Sequence, residues 1–205
     1  MLRIQMETIR RSPISFERAW GEADRKTERA PRMEQQQFRL SSESFPDGGT
    51  IPDRFAEAAG ISPQLTWSNA PPGTQSFVII MDDPDAKQAV GHTFVHWVVA
   101  LPASRSSLEE GASAGGWAGR QQALRDDMTS TPYRGPKPPS GTHRYYIAVY
   151  AMKPSFADKE FEDLAHSKFA DDTRTYTRER FESRYHSDIN AKAEITGLYS
   201  AKTSH

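Results

Sequence analysis

The amino-acid sequence predicts a mainly β protein, a sandwich of strands with helical segments added late in the chain. Two observations carry that expectation. The strongest apolar runs are short, rich in β-branched and aromatic residues, and bounded by proline and glycine turn signals. Helical periodicity is confined to one late region, Phe156 to His186.

The first strand candidate is Gln37 to Phe45, a short alternating segment that runs into the turn signal Pro46-Asp47-Gly48-Gly49. Leu65 to Ser68 is a second short strand, closed by Ala70-Pro71-Pro72-Gly73. Ser76 to Met81 is an almost unbroken apolar run, the pattern of a strand buried on both faces. His92 to Ala100 and Arg144 to Met152 are two further strong strands. Between them, residues 103–134 are rich in glycine, serine and charge and read as a long surface loop. Phe161, Leu164, Ala165 and Phe169 then suggest one amphipathic helix, and Tyr176, Arg180, Phe181 and Tyr185 a second. Ala193 to Tyr199 is the closing strand.

A chain of 205 residues suits one domain with a proper core, expected over residues 33–205. Residues 1–32 differ, with eight basic and five acidic side chains and few apolar ones, and read as a disordered or non-native extension ahead of Met33. No apolar core follows its positive charges, so it is not a secretory signal, and a cytoplasmic location is the expectation. The net charge of −1 argues against a nucleic-acid partner, which calls for a basic excess on one face. The lack of cysteine removes disulfides, thiolate metal sites and thiol nucleophiles. No stretch approaches the roughly 18 apolar residues of a transmembrane segment.

Three segments set ionisable residues beside the strongest strands: Asp82-Asp83-Pro84-Asp85, His96, and Gly135 to His143. Aspartate and histidine are costly to bury unpaired, so their positions ask for partners. Strand alternation puts Phe94, His96 and Val98 on one face, and His143, Tyr145 and Ile147 on a common face of the later strand. If these strands are near neighbours, His96, His143 and Tyr145 converge on the Asp83/Asp85 turn. Each feature also has an ordinary structural explanation, a satisfied core histidine or a turn whose carboxylates accept backbone N–H groups. Two enzymatic alternatives are weaker. Gly111 to Gly115 matches G-x-S-x-G but lacks the strand before it and the helix after it that a serine hydrolase needs. His92 and His96, four apart on a strand, would stand about 13 Å from each other. A metal site would have to be built from Asp83, Asp85, His96 and His143.

The strings DDPDA (82–86), FVHWVV (94–99) and GPKPPSGTHRYYIAVYAM (135–152) resemble the phosphatidylethanolamine-binding protein family, also called Raf kinase inhibitor-like, and its bacterial branch in particular. SPQLTWSNAPPGTQSFVIIMDDPDA (62–86) and AEITGLYSA (193–201) extend the resemblance over roughly Phe38 to Ala201. It implies an antiparallel β-sandwich with C-terminal helical segments and an anion pocket. That pocket falls on Asp83, Asp85, His96, His143 and Tyr145, with Pro138 and Pro139 shaping its rim. It also implies binding without catalysis or cofactor, a small phosphate-bearing ligand or lipid headgroup, and, as an alternative, inhibition of a protein partner such as a kinase or protease. The chain departs from the family pattern at Lys87, where a proline is usual, at Ala100-Leu101, where an asparagine commonly follows, and at Gly119-Arg120-Gln121.

Two carboxylates would repel a phosphate unless each orients an imidazole or caps a loop, which leaves His96 and His143 as the anion donors. A carboxylate could also receive the ammonium of an ethanolamine headgroup. Carboxylate pairing favours the charged imidazole, so anion affinity is expected to fall as pH rises through roughly 6 to 8. His143→Ala is expected to abolish headgroup binding with little loss of fold.

Overall fold

The computed structural model describes residues 36–56, 60–113, 129–130, 133–153 and 176–202. The extension 1–32 and the helix expected around Phe161 to Phe169 lie outside them. The described strands form two antiparallel sheets. The smaller joins β1 (Arg39–Ser41), β2 (Leu65–Ser68) and β5 (Ser107–Leu108) in the order β1-β2-β5. The larger contains β3 (Ser76–Asp83), β4 (Phe94–Pro102), β6 (Thr129–Ser130), β7 (Thr142–Met152) and β8 (Ile189–Ser200), in the order β6-β4-β3-β7-β8. A single 3-10 turn at Asp53–Phe55, a short helix α1 (Lys87–Val90) and a helix α2 (Arg178–Tyr185) complete the described elements.

Burial follows the side-chain period. In β2, Leu65 and Trp67 are buried while Thr66 and Ser68 are exposed, so this sheet has one wet face. Every residue of β3 is buried. Phe77, Ile79 and Met81 pack into the core between the sheets with Leu65, Trp67 and Leu108, whereas Val78 and Ile80 face a second cluster with Phe181 and Tyr185 of α2. The unbroken apolar run thus marks a central strand covered by a sheet on one side and a helix on the other. Thr177 caps that helix, its hydroxyl accepting from the Arg180 N–H.

Two expectations change. The strand expected over Gln37 to Phe45 stops at Ser41. Ser42 Oγ donates to the Gln64 carbonyl at 2.5 Å and Ser44 Oγ accepts from Gln64 N–H at 2.9 Å, so serine side chains replace the ladder. The stretch 103–134 is not all loop: β5 and β6 extend the edges of the two sheets. Ser113 of the G-x-S-x-G match is buried, its N–H on Ser62 Oγ at 2.9 Å.

Gly197 in β8 marks the tightest approach to the core. A Cβ there would lie 2.5 Å from Ile51 Cγ1 and 2.9 Å from Phe45 Cε2. Gly197→Ala is therefore expected to destabilise the fold by about 1–3 kcal/mol, read from urea unfolding.

Candidate functional site

The central strand ends in two adjacent buried carboxylates, Asp82 and Asp83. Successive residues of a strand face opposite ways, so each needs its own partner. Asp82 receives the Arg178 backbone N–H and its Nε at 2.9 and 2.6 Å, on the α2 side. Asp83 receives His143 Nδ1 at 2.7 Å and the Ala86 N–H at 3.1 Å. The Pro84-Asp85 turn that follows is closed by the Lys87 N–H on the Pro84 carbonyl, a bond that a proline at 87 would lack.

Of the five polar groups expected together, Asp83, His96, His143 and Tyr145 form one connected cluster, and Asp85 stands beside it on Arg144. His143 stacks on Tyr145 with ring centroids 6.5 Å apart, and His96 meets Tyr145 edge-on at 5.1 Å. Tyr145 is buried, and its hydroxyl has no hydrogen-bond partner within normal distance. Burial raises its pKa, and the nearby Asp83 carboxylate adds to the shift.

The predicted face of His96 is corrected. Met81 pairs with Trp97 and Asp82 with Val95, so His96 is the extra residue of a β-bulge. The bulge reverses the alternation: Val95 and Val98 both face the α2 cluster, while His96 turns to Tyr145 on the other side. His96 Nδ1 donates to the Arg134 carbonyl at 2.7 Å, so a backbone carbonyl orients the ring. Burial pushes its pKa down to about 4, against that carbonyl bond, so the ring is neutral at neutral pH with Nε2 an acceptor.

Asp85 does not orient an imidazole. Its Oδ2 accepts from Arg144 N–H and Nε, both at 2.9 Å, and its Oδ1 from Arg144 Nη2 at 2.7 Å. Those side-chain hydrogen bonds hold its pKa down at about 2. This pair stands at a surface cleft of about 690 Å³ whose lining includes Asp85, Gln88, Pro139, Ser140, His143 and Arg144. Gly141, at φ +65°, turns the chain at its wall. Pro139 is exposed there, while Pro138 is buried and does not line the cleft. Asp83, His96 and Tyr145 do not line it either; they join it through His143, whose side chain is 10% exposed. With Nδ1 on Asp83, His143 leaves Nε2 for the cleft.

Sequence reasoning missed three arginines. Arg144 neighbours a named histidine, and its alternation away from His143 was the available signal. Arg178 and Arg134 act across long separations, and no local pattern marks them. No three metal-ligating side chains come together among the described residues, and Asp85 is committed to Arg144.

The fold and cluster define a β-sandwich protein with a histidine–carboxylate site at the end of its central strands. The family model described as phosphatidylethanolamine-binding protein matches residues 41–200, and the chain belongs to that family. A UPF0098 protein of Aquifex aeolicus is 37% identical over 77% of this chain and 85% of its own length. The putative phosphatidylethanolamine-binding protein homologue of Chlamydia trachomatis superposes with TM-score 0.59 at 29% identity, covering 81% of this chain and 99% of its own. Escherichia coli YbcL shares the fold at TM-score 0.62 and 24% identity, over 81% of this chain and 99% of its own.

Two predictions follow from the buried groups. The depressed pKa of His96 contributes stability that is complete above pH 6.5 and lost as pH falls towards 4, worth up to about 3 kcal/mol. Denaturant unfolding between pH 4 and 7 should show that slope, and His96→Gln should flatten it. His143→Ala should cost about 3 kcal/mol, because Asp83 keeps its burial and loses its hydrogen-bonded partner. Urea unfolding of that variant would then contradict the mild effect expected from sequence, and His143→Ala with Asp83→Asn should recover part of the loss.

Proposed function

We infer that the chain binds a phosphate-type anion in the cleft at His143 and performs no chemistry on it. The single observation that carries this reading is the anchoring of His143. A buried carboxylate fixes its Nδ1, so the ring is held in one orientation with Nε2 towards the cleft. Because Nδ1 already donates to Asp83, Nε2 can donate to an anion when the ring is protonated. Ser140 and Thr142 add hydroxyls to the wall. The buried Tyr145 phenol, without a hydrogen-bond partner, supports the ring from below by stacking.

Binding rather than catalysis is favoured by where the hydroxyls point. Thr142 Oγ1 is bonded to Ser200 Oγ at 2.7 Å, and among the described residues no hydroxyl lies within hydrogen-bond distance of His143 Nε2. Among the described residues, the aspartate–histidine pair has no hydroxyl at hand to activate. His96 contributes polar packing against Tyr145, while His143 lines the cleft.

Sulfate is the cleanest probe, because its charge stays constant across the histidine range. Calorimetry should detect sulfate binding to the native protein, and His143→Gln should weaken it by about tenfold or more. Undiminished sulfate affinity in His143→Gln would rule out His143 as the anion donor.

A further inference from the structure

The sequence invites the idea that a site carboxylate receives the ammonium of an ethanolamine headgroup. Among the described residues, each carboxylate near the cleft already has a partner. Asp83 is buried and committed to His143 and the Ala86 N–H. Asp82 faces the other side of the sheet, on Arg178. Among the described residues, the acidic side chain lining the cleft is Asp85, and both of its oxygens are taken by Arg144.

Resting on the anion-site reading above, we propose that the cleft selects a phosphomonoester and gives no credit to a neighbouring amine. The Asp85–Arg144 pair acts as a charge lock. Arginine does not lose its proton, and its planar fork matches a carboxylate through two side-chain bonds. A primary ammonium is a point charge and would have to give up that match while displacing a covalently tethered competitor. The bond from the Arg144 backbone N–H to Asp85 Oδ2 belongs to the strand and stays in place. Asp85 and Arg144 cancel, and Asp83 is paired with His143, so these four groups offer an ammonium no uncompensated negative charge. Gln88, Ser140 and Thr142 are left as neutral groups for the ester end of the ligand.

Ethyl phosphate and phosphoethanolamine differ in the amine, and calorimetry with both tests the lock. The native protein should bind the two within about twofold of each other. Arg144→Gln, by releasing Asp85, should turn this into a preference of about fivefold for phosphoethanolamine. Asp85→Asn, which frees Arg144 instead, should tighten both ligands together, and it serves as the test if Arg144→Gln does not fold. A native preference for phosphoethanolamine of about fivefold or more would overturn the proposal, as would an unchanged ratio in Arg144→Gln or a selective loss of phosphoethanolamine in Asp85→Asn. If neither phosphate binds the native protein, the anion-site reading falls and takes this inference with it; a wrong ratio alone sinks the lock and spares the site. Phosphatidylcholine vesicles carrying phosphatidic acid separate the sources. Co-sedimentation places the monoester on a lipid, its absence places it on a soluble molecule, and both agree with the lock. Stronger binding to vesicles carrying phosphatidylethanolamine would overturn it.

Discussion

Two consecutive carboxylates buried at the end of one strand are the constraint on which this molecule turns. Asp82 and Asp83 point to opposite faces of the central strand, and neither can stay charged in the interior without a cation or donors of its own. Meeting that demand on one face draws in Arg178 and with it the start of α2, which also stacks its guanidinium on Tyr146 at 4.2 Å. Meeting it on the other face fixes the ring of His143. The helix layer and the candidate site are therefore two answers to the same electrostatic problem, set one residue apart in the chain.

The site works by dividing charge among groups that look alike in sequence. Two histidines stand near Tyr145, and burial makes one of them neutral while the other keeps contact with a cleft. Two aspartates stand in one short turn. One is buried and holds an imidazole, and the other lies at the surface and holds a guanidinium. Environment, not residue type, assigns the roles. The bulge at His96 adds to this, since it swings that ring off the face its position implies and ties it to Arg134, just ahead of the proline-rich segment.

Much of the fold was legible because hydrophobic period reports burial directly. The run Ser76 to Met81 announces a strand covered on both sides, and Leu65 to Ser68 a short strand; both stand in those places. The late helix could be read from Phe181 and Tyr185, which do face the sheet. Strand ends were less legible. At Ser42 and Ser44 the hydroxyls compete with the ladder, and alternation of apolar residues carries no sign of that competition.

The sequence by itself determined the sandwich, the family resemblance and the set of polar residues that meet, because period and motif are local properties of the chain. What each of those residues does was decided by the tertiary structure. Arg144 reaches Asp85 and Arg178 reaches Asp82 only because antiparallel pairing and helix docking close long loops. The protonation of His96 depends on how much water the folded core excludes around it. Charge partners and desolvation are sums over neighbours in space, and no pattern along the chain contains them.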